Sequence, residues 1–236
     1  MPNSNSFLSS LIVAVLATAP VPAHAAFGPA WSTGPTASDS FIRESTSTLV
    51  IPSLPSNNNG DLSLCMSLLS ESLVSRIGMG TSNGDLIQSI VENYYSDTWE
   101  VYAYTLLSTS STTQLPVYSD STAASAGDEV TMHYTYDDST GNYTQAVSIN
   151  GVQVATLSTS DGYAQGYGTA VECAAEDCGT VPAHSWINTE IIMDVADPTY
   201  INTMGLGGGA TGGEMTTSDG GKTWTVSTIN IPEFTF

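Results

Sequence analysis

Positive charge is what this sequence has least of. Its 236 residues include three Lys or Arg against 23 Asp or Glu, a formal net charge of −20 at pH 7. Such a chain repels phosphate backbones and anionic headgroups alike, which excludes nucleic acid and anionic membrane surfaces as partners. Cysteine is scarce too, at three residues. No cluster of thiolates and imidazoles has the spacing of a metal site, so neither metal nor cofactor is expected. Long apolar runs are missing. The stretch F-L-S-S-L-I-V-A-V-L-A-T-A, Phe7 to Ala19, is too short to span a bilayer, and no later run is long enough to anchor the chain. Amphipathic helical patterning is nearly absent, with only S-L-L-S-E-S-L-V-S-R-I, Ser67 to Ile77, reading as a short helix. Charged residues make up 11% and hydrophobic residues 41%, a balance that argues against disorder.

The N-terminus supplies what is present. After the apolar run comes P-V-P-A-H-A-A, in which Ala23-His24-Ala25 makes an A-x-A cleavage site, although no Lys or Arg precedes the run. Residues 1–25 are read as a secretory signal, and the protein as secreted and extracellular. Residues 26–60, rich in Ser, Thr, Pro, Gly and Asn, read as an extension of extended strand and loop. Residues 61–236 read as a single domain, large enough to bury a full core, and expected to be a monomer. In an oxidising compartment Cys173 and Cys178, in C-A-A-E-D-C-G, predict a local disulfide, leaving Cys65 over. Asn142-Tyr143-Thr144 is a glycosylation sequon on Asn142. Mutual repulsion among the carboxylates falls as they protonate, so an acidic extracellular setting suits this chain.

Beyond residue 60, period-two alternation dominates. W-E-V-Y-A-Y-T-L places Trp99, Val101 and Ala103 on one face and Glu100, Tyr102 and Tyr104 on the other. E-V-T-M-H-Y-T-Y sets Val130, Met132, Tyr134 and Tyr136 against Thr131, His133 and Thr135. A-V-S-I-N-G-V-Q-V-A-T-L is a hairpin, with Asn150-Gly151 supplying the two left-handed residues of a type I′ turn. Many strands, Gly-rich turns and so little helix predict an all-β fold, an antiparallel β-sandwich or jelly roll.

T-S-D-G-G-K-T-W, Thr217 to Trp224, fits the Asp-box pattern found in sialidase propellers. Gripping a sialic acid carboxylate takes several arginines, and a propeller takes repeated blades. This chain has Arg43 and Arg76 and a single box. The motif therefore reads as a turn: Asp219 caps backbone N–H groups, Gly220 and Gly221 take positive φ, and Trp224 enters the core. His133 and His184 have no G-x-S-x-G neighbourhood to make a serine hydrolase. Asp137-Asp138 lacks the regularly spaced oxygens of a calcium loop and reads as a solvated turn.

The most informative segment is I-G-M-G-T-S-N-G-D-L-I-Q-S-I-V, Ile77 to Val91, where Gln88 alternates with Leu86 and Ile90 on an apolar strand face. A core Gln bonded to a neighbouring strand is the structural explanation. This segment, A-G-D-E-V-T (Ala126 to Thr131) and A-H-S-W-I-N-T-E (Ala183 to Glu190) resemble, in the same order, three motifs of the fungal glutamic peptidases, the eqolisins. The resemblance covers roughly 63–195 and implies a concanavalin A-like β-sandwich that acts at acid pH through a Gln and a Glu. Gln88 matches the family's Gln, and Trp186 and Ile187 match its W-I pair. At the Glu position stands Ser185, whose hydroxyl cannot activate water or carry protons at acid pH. Glu190 is the nearest carboxylate in that strand, five residues on, an odd offset that points to the opposite face. The resemblance also marks Cys65 to Ile77 as a departure, read either as translated intron or as a genuine surface excursion with a free thiol.

Two functions follow. One is an extracellular binding or structural role without catalysis. Trp186, Tyr163 and Tyr167 are the candidate contacts to a peptide or carbohydrate, the two tyrosines being the expected exposed pair in D-G-Y-A-Q-G-Y-G. Core packing is expected to account for most of the remaining tyrosines. The alternative is an acid-active glutamic-type endopeptidase in which Gln88 works with a second carboxylate, with Glu100 and Glu172 as candidates.

Overall fold

Alternating segments become strands almost wherever they occur. The computed structural model of the protein describes residues 26–69, 81–110, 113–159, 162–175 and 177–236. The strands are β1 (Ala26–Thr33), β2 (Ile42–Val50), β3 (Asp61–Leu69), β4 (Leu86–Tyr94), β5 (Trp99–Ser108), β6 (Gln114–Tyr118), β7 (Thr122–Ala124), β8 (Glu129–Asp137) and β9 (Asn142–Ile149). They continue with β10 (Val152–Thr159), β11 (Gly166–Ala175), β12 (Thr180–Val181), β13 (His184–Met193), β14 (Gly205–Gly207), β15 (Thr211–Gly212), β16 (Thr223–Ile231) and β17 (Phe234–Thr235). A first sheet runs β14-β1-β11-β3-β4-β5-β6, with β7 beside β5. A second runs β10-β9-β8-β2-β13-β16-β15, and β12 pairs with β17 apart from both. The ladders are antiparallel, and neighbours such as β11 and β3 or β2 and β13 are far apart in sequence. This is an antiparallel β-sandwich of the jelly-roll kind.

The core fills the space between the sheets. Trp99, Val101 and Ala103 from β5 and Val130, Met132 and Tyr134 from β8 are fully buried, on the faces their alternation assigns. Asn150 and Gly151 take φ of 51° and 79° in the turn between β9 and β10, the geometry a type I′ hairpin requires. The Asp box is a turn as well. Asp219 Oδ1 accepts from the N–H groups of Lys222 at 3.1 Å and Thr223 at 2.9 Å, and Gly220 and Gly221 have positive φ. Trp224 is buried in the core.

Residues 26–50 are not an appendage. β1 lies between β14 and β11, and β2 lies between β8 and β13. The Ser and Thr that make this segment look loop-like serve as buried cross-strand partners, as where the Ser47 and Thr189 hydroxyls meet at 2.6 Å. Ser67 to Leu69, read as the start of a helix, complete β3 instead, and 70–77 lie outside the described residues. Cys65 to Leu69 likewise sit in a ladder with β11 and β4, inside the first sheet and not on an excursion. Cys173 and Cys178 form a disulfide that ties the end of β11 to the approach to β12. Among the described residues no helix is long and apolar enough to cross a membrane.

Candidate functional site

A groove of about 220 Å³ lies on the outer face of the first sheet, floored by β3, β4, β5 and β11. Three cross-strand rows organise it. Gln88 on β4 faces Ser67 on β3 and Tyr104 on β5, and Tyr104 faces Tyr118 on the edge strand β6. The next row, Ala170, Cys65, Ile90 and Tyr102, is mainly apolar. The third joins Glu172, Ser63, Glu92 and Glu100, with Asp61 two residues from Ser63 on the same face.

The Gln88 end is held from beneath. Ser89 turns the other way, and its N–H donates to the Tyr134 hydroxyl of the second sheet at 2.8 Å. Gln145 on β9, fully buried, donates from Nε2 to the Tyr104 carbonyl at 2.8 Å and to Thr105 Oγ1 at 2.9 Å, while accepting from Ser89 Oγ at 3.2 Å. These buried polar ties lock β4 and β5 to the opposite sheet, so side chains rising from them stand on a rigid base.

The far end is carboxylic. Tyr102 donates to Glu92 Oε1 at 2.9 Å. Asp61 stands beside Glu92, and its charge adds to what raises Glu92. Burial is the main force raising both above the ordinary carboxylate range. The Tyr102 hydrogen bond offsets part of the rise at Glu92. Glu172 is pushed up to about 7, first by burial and then by the Asp61 charge. Among the described residues no cation relieves them, because the strands of the first sheet contain no Lys, Arg or His. Near neutral pH the Glu172 carboxyl can both donate and accept hydrogen bonds. Among the described residues no group of three or more His, Cys, Asp or Glu is arranged to hold a metal ion.

Of the residues singled out in the sequence, the groove gathers Gln88 and Glu172, and Glu100 joins the Glu92 row beside it. It does not gather the A-H-S-W-I-N-T-E segment. That segment is β13, in the second sheet, on the opposite side of the sandwich from Gln88. Trp186 is fully buried in the core, so it cannot contact a ligand. Ser185 and Glu190 lie on one face after all. Asn188 takes a φ of 54° where the β13–β2 register shifts, and this bulge resets the alternation so that both point out of the second sheet. Tyr167 is fully buried. β11 already begins at Gly166, which turns Tyr167 inward as the first core residue of a strand rather than the end of a loop. Tyr163 is 49% exposed but packs on Phe41, ring centroids 4.4 Å apart, away from the groove. Asn142 opens β9, its amide donating to Ser158 Oγ at 3.4 Å.

The sequence reading missed Asp61, Glu92 and Tyr118. Glu92 was within reach, since it continues the Leu86, Gln88, Ile90 alternation by one more step. Asp61 and Tyr118 join the site only through register with strands distant in sequence, which no local pattern encodes.

The fold can now be set beside known structures. A crystal structure of scytalido-glutamic peptidase with a peptide-based transition-state analogue matches with a TM-score of 0.50 at 12% identity, over 85% of this chain and 97% of that one. SCP-B, an eqolisin-family peptidase in complex with the tripeptide Ala-Ile-His, matches at 0.48 and 12%, over 85% and 96%. A glycoside hydrolase family 16 endo-glucanase from Bacteroides ovatus matches at 0.42 and 12%, over 65% and 73%. At this identity the likeness to the first shows the shared β-sandwich and nothing finer. No family model matches the chain. No curated protein matches it in sequence.

Proposed function

We propose that the protein is a secreted β-sandwich that binds an extracellular polymer along the groove of its first sheet and does not use Gln88 to cleave peptide bonds. One observation carries this reading. Across β3 from Gln88, the residue of β11 in the same row is Gly168. A Cβ there would lie 2.6 Å from the Trp31 carbonyl oxygen and 3.0 Å from Ser32 Cα, both backbone atoms of β1. No side chain fits at that point, so no carboxylate can face Gln88 from β11. Glu92 is four residues further along the strand, about 13 Å away, and Ser185 and Glu190 are on the other sheet. Gln88 lines the groove with its amide but has no acid in its row to move a proton. Secretion is supported by the Phe7 to Ala19 run before Ala23-His24-Ala25 and by the Cys173–Cys178 disulfide. Asn142, at a strand end and not buried, suits glycosylation.

A second reading, an acid-active endopeptidase, draws on the Glu172 carboxyl pushed up to about 7 near Asp61 and Glu92, both also raised by burial. Digestion of a denatured protein substrate at about pH 3–4 by the purified secreted protein separates the two, with Gln88→Ala and Glu172→Gln alongside. No cleavage by the folded protein is expected. Cleavage that either substitution abolishes would overturn the non-catalytic reading and name the acting group.

A further inference from the structure

We infer that the Gln88 end of the groove is a sugar-ring subsite, and that the polymer it takes is a neutral polysaccharide. The inference rests on the proposal that the groove is the binding face, and adds the class of ligand. Tyr104 and Tyr118 are cross-strand partners with rings nearly parallel, 9° between planes and 6.4 Å between centroids. Tyr118 is 65% exposed on an edge strand, although a tyrosine ring loses least by being covered. Beside this pair, in the same row, stands Gln88, 8% exposed and lining the groove with an amide that both donates and accepts. The adjacent row is Leu86, Leu106 and Pro116, wholly apolar. The exposed Tyr118 ring and this apolar row, with an amide beside them, match a pyranose ring, which has a C–H face and a hydroxyl rim.

Position on the sheet also argues against a peptide. Under Gln88 and Tyr104 this is a sheet face, where the backbone N–H and C=O groups of β4 and β5 are already spent in the ladders. An extended peptide binds sheets by adding to an edge and pairing its own backbone. Over a face it would have to desolvate that backbone without a ladder to replace the water. A sugar asks only for side-chain partners and rings. Charge decides between neutral and anionic polymers. With no Lys, Arg or His on the first sheet's strands and carboxyls at the far end, an anionic chain such as a polyuronate is repelled.

The test is affinity electrophoresis of the purified full chain in gels carrying soluble glucan, xylan or galactomannan. Polygalacturonate and denatured casein serve as the anionic and peptide probes. Retardation by at least one neutral polysaccharide is expected. Tyr118→Ala should weaken it about 10-fold, the loss of one stacking contact, and Gln88→Ala should weaken it similarly. Tyr163→Ala, on an aromatic cluster outside the groove, should leave it unchanged. Binding that survives both groove substitutions, or is lost only with Tyr163→Ala, overturns the subsite. Retention by casein alone, lost with Tyr118→Ala, overturns the sugar class but leaves the groove as the binding face. Retention by none of the probes overturns the inference and the binding proposal together.

Discussion

On the outer side of the second sheet, carboxylates have cations. Arg43 on β2 reaches Asp138 at 2.7 Å and, through Nε, Asp194 at 3.0 Å. Lys222 donates to the Asp194 carbonyl, and His133 Nε2 sits 2.8 Å from Glu44. On the outer side of the first sheet Asp61, Glu92 and Glu172 have a tyrosine and one another. Every described Lys, Arg and His belongs to the second sheet or a loop beside it. One chain, with 23 acidic residues, thus builds a matched face, on which Asp138, Asp194 and Glu44 have basic partners, and an unmatched face, on which Asp61, Glu92 and Glu172 have none among the described residues. The unmatched face carries the groove, raises the carboxyls at one end of it, and leaves Tyr118 exposed beside Gln88 at the other. Burial of like charges without counterions lowers stability, and such a face is where a ligand role is to be sought.

The largest expected effect tests the unmatched face. The Glu172 carboxyl is raised from 4.5 to about 7 in the folded protein. A carboxyl raised on folding costs nothing below its unfolded value, where both states are protonated. Its penalty grows as pH rises through the window from 4.5 to about 7 and is then complete. Glu172→Gln removes the charge and should raise stability at pH 8 by up to about 3 kcal/mol, roughly 5–10 °C in Tm, with little change at pH 4. Thermal melts of both proteins at the two pH values measure this directly. A variant that parallels the native protein at both would show that Glu172 is already relieved of its burial.

Next comes the matched face. Arg43→Met removes the ion pairs to Asp138 and Asp194 together with the guanidinium's place over the Phe41 and Tyr136 rings. With Arg43 and Asp194 both about a third exposed or less, the loss should be about 1–2 kcal/mol at neutral pH. It should shrink in high salt, as a screened pair does. A denaturant titration at low and high salt checks it. The comparison breaks if Arg43→Met leaves stability untouched while Glu172→Gln raises it at every pH.

How much of this was legible beforehand divides along the same line. Strand identity came from alternation, and the Asn150-Gly151 and Asp219 turns from residues that leave the backbone little choice. The second half of β13 did not. Its bulge at Asn188 reverses the inside and outside of everything beyond it, and no period-two count survives that. β1 and β2 were legible only as extended strand and loop, because buried Ser and Thr pairs resemble loop composition until their cross-strand partners are known. The groove itself is a register effect. Gln88, Tyr104 and Tyr118 come from consecutive strands but align only once β4, β5 and β6 are in register. Glu172 reaches its carboxylate row from β11, which lies two strands away from β4 in space and 72 or more residues away in sequence. Sequence could name Gln88, yet the closed position opposite it, Gly168 against β1, is visible only in three dimensions.

The smallest expected effect closes the argument over which carboxylate matters. Glu190 was attractive because it sits in the strand that resembles a peptidase motif. It projects from the second sheet between Thr46 and Thr225, on the far side of the sandwich from the groove. A half-exposed glutamate with such neighbours contributes little, so Glu190→Gln should change stability by no more than about 0.5 kcal/mol. It should also leave polysaccharide retention unaltered. The same side chain and the same isosteric change, made at Glu172, should move Tm in a pH-dependent way. If Glu190→Gln instead altered retention while Glu172→Gln and Tyr118→Ala did not, the ligand would belong to the matched face, and charge compensation would no longer tell the two faces apart.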